Sequence, residues 1–404
     1  MSCMRVRSVV PSSLHYFLSR FCTMAMLLTA ALPALAGNGV SLGDVSSAEI
    51  RAAKPGHILR VWPQIGGTVA NAKAYRILYR STGLNDEPIA VSGTIFFPDG
   101  PAPRGGRNVI AWAHPTTGVV ARCAPTLLPD LSGTIAGLDD MLARGYVVAA
   151  TDYEGLGVPG MHPYLIGVSE ARSVLDSVRA AHELPDAGAR DRFAVWGHSQ
   201  GGHAALFTGE QAAQYAPELK LVGVAAAAPA TYLVDLFDAD RGSVAGNSLT
   251  AMALLSWSTI YHLPLDSILA NGAGSAFELV AKSCIQSIAE MLKLEQVEKP
   301  LQRVFLKADP TKIEVWRAIM EANSTGQQPQ GVPVFLAQGT ADTTVRPNIT
   351  LRFADHLCAG GTPVVMKLLN GVSHSFAGED SAREAVAWMT DRFNGRPAPS
   401  GCKH

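Results

Sequence analysis

Apolar and polar residues fall into two regimes along the chain. Residues 57–64, 74–82 and 89–98 are rich in β-branched and aromatic side chains and are separated by turns carrying Gly, Asn, Asp and Pro. That pattern predicts three antiparallel strands joined by hairpins. The grammar then changes. Short, almost continuously apolar runs at 109–113, 146–151, 193–196, 221–228, 334–338 and 364–369 alternate with helical patterns at 169–183, 202–214, 346–358 and 380–393. Strands apolar on both faces are buried on both faces. Their alternation with helices predicts an α/β fold, a mostly parallel central sheet covered by helices on both sides.

Residues 231–330 break this rhythm. Helical spacing recurs around 249–261, 277–294 and 313–322, with Gly and Pro breaks and no convincing strand. The stretch reads as a helical cap inserted above the sheet, with a separate second domain as the alternative. The predicted organisation is therefore a core in two parts, 37–230 and 331–404, interrupted by the insertion. No internal repeat or low-complexity tract is visible.

The first 36 residues read as an address. Arg5, Arg7 and Arg20 precede an apolar run from Phe21 to Leu35 that ends in small residues before Gly37. This is secretory signal grammar, with cleavage expected after Ala36. The run is shorter than the roughly 20 residues a spanning helix needs, so no transmembrane segment is expected. Cleavage removes three arginines and no acid, moving the net charge from −1 to −4. Nothing in that balance offers a footprint for nucleic acid or an anionic membrane.

Six cysteines become four after cleavage: Cys123, Cys284, Cys358 and Cys402. In an oxidising compartment two bridges are expected, and three pairings are possible. Pairing Cys358 with Cys402 would pin the tail and contribute about 4 kcal/mol on the chain-entropy account; free buried thiols are the alternative. No Cys or His spacing argues for a metal site.

The chemistry concentrates where the run at 193–196 meets Gly197-His198-Ser199-Gln200-Gly201-Gly202. Strand, tight turn and helix are implied, and glycines at 197 and 201 let the turn close with the serine hydroxyl above the sheet. The helix behind aims N–H groups and a positive dipole end at the same spot. Such a serine is a nucleophile in need of a base. His198 is adjacent and points away, and His198 and His203 read as packing or supporting residues. The nucleophile-elbow order Ser, acid, His is met by Asp342, just after the strand at 334–338, and His374, just after the strand at 364–369. Strand carboxyl ends are where open α/β sheets place ligands. Asp309 and Asp355 are competing acids but read as solvated. His114, His162, His262 and His356 read as structural.

Acyl transfer also needs two donors for the oxyanion. The N–H of Gln200 supplies one. The other is expected from the loop His114-Pro115-Thr116-Thr117-Gly118, where Pro115 has no N–H; Thr116 is the first choice and Thr117 the second. Asp152-Tyr153-Glu154-Gly155-Leu156-Gly157 follows the next strand, and its glycines suit either a close backbone approach or a plain tight turn.

Taken together, the loop at 114–118 with Arg122-Cys123-Ala124-Pro125, the run 152–157 leading to His162-Pro163-Tyr164, the serine elbow and the Gly339 to Asp342 turn resemble the secretory lipase family of α/β-hydrolases. The strand Ala90-Val91-Ser92-Gly93-Thr94 fits as well, so the likeness spans nearly the whole mature chain. It implies a secreted carboxylic-ester hydrolase with Ser199, Asp342 and His374 at the triad positions, no cofactor, and an ester or lipid as substrate. It implies the helical cap, and bridges pairing Cys123 with Cys284 and Cys358 with Cys402. One departure is Pro115, where such loops often carry glycine. A secreted peptidase or acyltransferase uses the same triad, and a binding protein on an inactive scaffold is the non-enzyme alternative.

Overall fold

The structure is a computed structural model and describes residues 45–64, 69–327 and 329–402. The expected leader lies outside the described residues. Among the described residues nine strands form one sheet: β1 (Ile58–Pro63), β2 (Ala72–Thr82), β3 (Pro88–Pro98), β4 (Arg107–Ala113), β5 (Val147–Thr151), β6 (Ala189–His198), β7 (Lys220–Ala227), β8 (Val334–Gly339) and β9 (Val364–Leu369). Their spatial order is β1-β2-β3-β5-β4-β6-β7-β8-β9. The pairings β1–β2, β2–β3 and β3–β5 are antiparallel, and all those from β5 through β4 to β9 are parallel.

Consecutive strands β1, β2 and β3 return antiparallel to one another, whereas the parallel neighbours need crossovers. Helix α1 (Ser47–Ala52) precedes β1. The crossovers are α2 (Leu138–Ala143) between β4 and β5, α3 (Gly167–Glu183) between β5 and β6, α4 (Gln200–Tyr215) between β6 and β7, and, beyond the insertion, α10 (Pro347–Ala359) between β8 and β9. The last helix, α11 (Ala377–Phe393), follows β9. Alternate residues of each strand feed opposite layers. Ile110, Trp112, Val148 and Trp196 pack with Met141 of α2 and Val386 and Met389 of α11. Val109, Ala111, Val147 and Val195 pack with Val174 of α3, Leu206 of α4 and Phe353 of α10.

Between β7 and β8 run α5 (Leu233–Ala239), α6 (Val244–Tyr261), α7 (Gly274–Ala281), α8 (Ile288–Glu298) and α9 (Glu314–Ala322). The helical spacing over 277–294 is realised as two helices, not one. The break lies at a tether to the core: Cys284 is bonded to Cys123, the Ile285 N–H donates to the Thr117 carbonyl at 3.0 Å, and the Gln286 amide reaches the Cys123 carbonyl at 2.7 Å. Tertiary contacts thus override local helical preference. A second bond joins Cys358, in α10, to Cys402 in the tail. Helix α6 is stitched to the loop before α3, with the Trp257 indole N–H donating to the Tyr164 carbonyl (2.8 Å) and the Ser256 hydroxyl to the His162 carbonyl (2.6 Å). No helix among the described residues is long and apolar enough to cross a membrane.

Candidate active site

Ser199 stands between β6 and α4 with φ 58° and ψ −116°, a backbone state that costs a non-glycine residue about 1–3 kcal/mol. Its neighbours make the state unavoidable. A Cβ on Gly197 would lie 2.0 Å from the Gly201 carbonyl oxygen, and one on Gly201 would lie 1.8 Å from that of Ala113. Only hydrogen fits at either position, so the turn closes tightly and α4 starts directly over the end of β4. The Ser199 N–H donates to the Ala227 carbonyl (2.9 Å), which ties the elbow to β7.

His374, in a short 3-10 turn after β9, bridges the other two residues. Its Nε2 lies 2.9 Å from Ser199 Oγ and its Nδ1 lies 2.8 Å from Asp342 Oδ2. A carboxylate only accepts, so Nδ1 carries the proton and Nε2 presents its lone pair to the serine hydroxyl. Asp342, at the end of β8, also accepts from the N–H groups of Thr344 (2.9 Å) and Val345 (2.8 Å) and from the Gln338 amide (3.0 Å). Burial pushes its carboxyl up, but the hydrogen bond and charge of His374 and these N–H donors outweigh that, and the net shift is downward. The competing acids lie elsewhere: Asp309 is engaged by Thr311 and Arg241, and Asp355 is exposed on α10.

Gln200 is the first residue of α4, so its N–H lies outside the intrahelical ladder. The loop after β4 is held close by. Thr116 shares a hydrogen bond with the Tyr164 hydroxyl (2.9 Å), and the Thr117 carbonyl takes the N–H of Ile285 (3.0 Å). Asp152 braces the same region, accepting from the hydroxyls of Ser92 (2.6 Å) and Thr126 (2.5 Å). The glycines of the 152–157 run serve both a turn and a close approach: Gly155 and Gly157 take φ 77° and 72°, and a Cβ on Gly155 would lie 2.6 Å from the His162 main-chain nitrogen.

A buried polar network behind the elbow has no counterpart in the sequence reading. The Gln200 Nε2 donates to Glu170 Oε1 and to His162 Nε2, both at 2.7 Å. Glu170 also accepts the Leu165 N–H (3.1 Å) and pairs with His203 Nδ1 (2.6 Å). Burial lowers His162 to about 4, so it is neutral and its Nε2 can accept. The signal was present: Glu170 shares the apolar stripe of α3 with Val174, Val178 and Ala181, where a charge is out of place.

The cavity beside Ser199 measures about 30 Å³ and is lined by Tyr164, Leu165, Leu236, Phe237, Asp240 and Val345, among others. A larger groove of about 990 Å³ involves α7 and α8 and includes no residue of the Ser-His-Asp line. Ser199 and Gln200 line the small cavity instead. Among the described residues no group of three His, Cys, Asp or Glu side chains is set to hold a metal ion.

Sheet order, crossovers and elbow define an α/β-hydrolase. The family model described as secretory lipase matches residues 134–401, and the chain belongs to that family. Lipase A of Arthroderma benhamiae is 25% identical over 357 residues, covering 82% of this chain and 73% of that protein. A probable inactive lipase of Mycobacterium tuberculosis is 25% identical over 341 residues, covering 80% and 74%. Among solved structures, Candida antarctica lipase A in its closed state superposes with a TM-score of 0.73 at 17% identity, over 87% of both chains. Family membership supports a lipase or esterase, a hydrolase of carboxylic esters.

Proposed function

We propose that the protein is an exported serine hydrolase that cleaves acyl esters, lipid esters such as triacylglycerols among them, through an acyl-enzyme. The observation that carries this reading is the continuous line Ser199 Oγ, His374, Asp342, with contacts of 2.9 and 2.8 Å. In it, Ser199 Oγ attacks the ester carbonyl carbon while its proton passes to His374 Nε2. The N–H groups of Gln200 and of Thr116 or Thr117 receive the charge on the carbonyl oxygen. Collapse breaks the acyl–oxygen bond, and the alcohol leaves with the proton from His374. Water, deprotonated by the same imidazole, then releases the acid and restores Ser199. Asp342 holds the imidazole tautomer and stabilises its charged form.

In this reading residues 231–330 form a cap over the acyl pocket. Residues 1–36 are the leader that takes the chain out of the cell, consistent with two disulfides and with a family described as secretory. A second reading, a binding protein on an inactive scaffold, is favoured by the probable inactive lipase among the relatives. A series of p-nitrophenyl esters of increasing chain length, assayed below and above substrate solubility, separates them. Ester turnover is expected, and a jump in rate at the interface marks a lipase. A protein inert to the whole series contradicts the proposal and favours the second reading, and amide cleavage at comparable rates would favour a peptidase.

A further inference from the structure

The small cavity over Ser199 contains one carboxyl, that of Asp240, among mostly apolar walls. Asp240 follows α5, and its main chain is fully used. Its N–H donates to the Leu236 carbonyl (3.1 Å), and its own carbonyl accepts from the Ser243 N–H (3.1 Å) and hydroxyl (2.9 Å). Helix α6 packs so closely that a Cβ on Gly246 would lie 2.0 Å from the Asp240 carbonyl oxygen. The residue is thus fixed in place.

Its side chain has no such employment. Asp240 is only 6% exposed, and its Oδ1 is buried with no hydrogen-bond partner among the described residues. It does not cap α6, because Ser243 does so through the Gly246 N–H (2.9 Å). Neither neighbouring arginine has a hydrogen bond to the carboxyl: Arg241 pairs with Asp238 and Asp309, and Arg346, although its charge acts on the carboxyl, donates to the Ala239 carbonyl (2.5 Å). A buried polar atom without a partner is unfavourable and calls for an explanation. Position beside the nucleophile supplies one.

We propose that Asp240 is a specificity-determining residue whose carboxyl hydrogen-bonds a hydroxyl close to the scissile ester, so that hydroxylated esters are preferred over plain alkyl esters. This rests on the ester-hydrolase reading. A plain alkyl ester in the same cavity leaves Oδ1 dry and unpaired, and sites built to pair a substrate hydroxyl reject analogues that lack it. The groups facing the carboxyl are Arg346, His374 and Asp342. Burial pushes Asp240 up to about 7, with Arg346 and His374 opposing and Asp342 assisting. Below neutral pH it therefore keeps its proton and can donate as well as accept.

The test compares kcat/KM within two matched pairs: p-nitrophenyl 3-hydroxybutyrate against p-nitrophenyl butyrate, and 2-hydroxyethyl butyrate against propyl butyrate. Each ratio is normalised to alkaline hydrolysis. The wild-type protein is expected to favour the hydroxylated member of at least one pair roughly ten-fold, and the pair concerned tells whether the hydroxyl sits on the acyl or the alcohol side. Asp240→Asn, which keeps a donor and an acceptor, should retain most of the preference; Asp240→Leu should bring the ratio down to that of alkaline hydrolysis. Cleavage of the plain esters by the wild-type protein without preference in either pair overturns this proposal alone, and needs no variant to fold. Survival of the preference in Asp240→Leu overturns it too. Inertness to all four esters overturns the hydrolase reading and this proposal with it.

Discussion

The Nε2–H of His198 donates to the main-chain carbonyl of His374 at 2.9 Å, so the residue before the elbow serine holds the backbone of the residue that faces it. Burial lowers His198 to about 3, with the nearby His374 adding to the effect, and the ring stays neutral through ordinary working pH. The contact is therefore a fixed support and not a switch. His198→Ala should lower kcat by roughly ten-fold through misplacement of His374 while leaving KM nearly unchanged. Steady-state kinetics on a soluble ester check this, and an unchanged kcat would contradict it.

Asp342 accepts from two main-chain N–H groups, the Gln338 amide and His374. Asp342→Asn keeps the shape but can donate to Nδ1, which favours the wrong imidazole tautomer. We expect kcat to fall by about 10⁴ with the circular dichroism spectrum and melting curve preserved. A fall of less than about ten-fold would remove Asp342 from the mechanism.

The two disulfides should separate in their effects. Cys358–Cys402 closes 44 residues and pins the tail, so Cys402→Ser should cost about 4 kcal/mol in denaturant unfolding with kcat unchanged in the folded protein. Cys123–Cys284 closes 161 residues and tethers α7 to the segment that carries Thr116 and Thr117. Cys284→Ser should cost about 5 kcal/mol and also lower kcat. Equal kcat in the two variants would contradict a link between that tether and the proposed role of Thr116 or Thr117.

Asp240 carries a further consequence for stability. Its pKa rises from 3.8 to about 7 on folding, chiefly through burial. Between those values the folded chain keeps a proton that the unfolded chain has released, so this group's contribution to stability falls as pH rises. Asp240→Asn removes the titration. The melting temperature of the variant relative to wild type should therefore climb between about pH 4.5 and about pH 7.5. A gap that stays flat over that range would contradict the assignment.

Much of this was legible in the sequence, and the reasons are specific. Continuous apolar runs such as Val334 to Ala337 can satisfy both faces only inside a covered sheet, so the parallel strands were plain. Ser199, Asp342 and His374 could be proposed as a site because each lies within a few residues of the carboxyl end of such a run. Glu170 was visible only as an acid in an apolar stripe, and its partners Gln200, His162 and His203 come from other segments. Asp240 left no local trace, since its burial depends on how α6 packs against it. Helical spacing alone did not show the break between α7 and α8, because the Cys123–Cys284 bond beside it joins segments 161 residues apart.

The most direct measurement is covalent labelling by diethyl p-nitrophenyl phosphate, followed by mass spectrometry of the peptides. One diethylphosphoryl group per chain is expected, on Ser199, with one equivalent of p-nitrophenolate released, ester turnover lost in proportion, and no labelling of Ser199→Ala. A label on another residue, or ester turnover that survives in Ser199→Ala, would contradict Ser199 as the nucleophile.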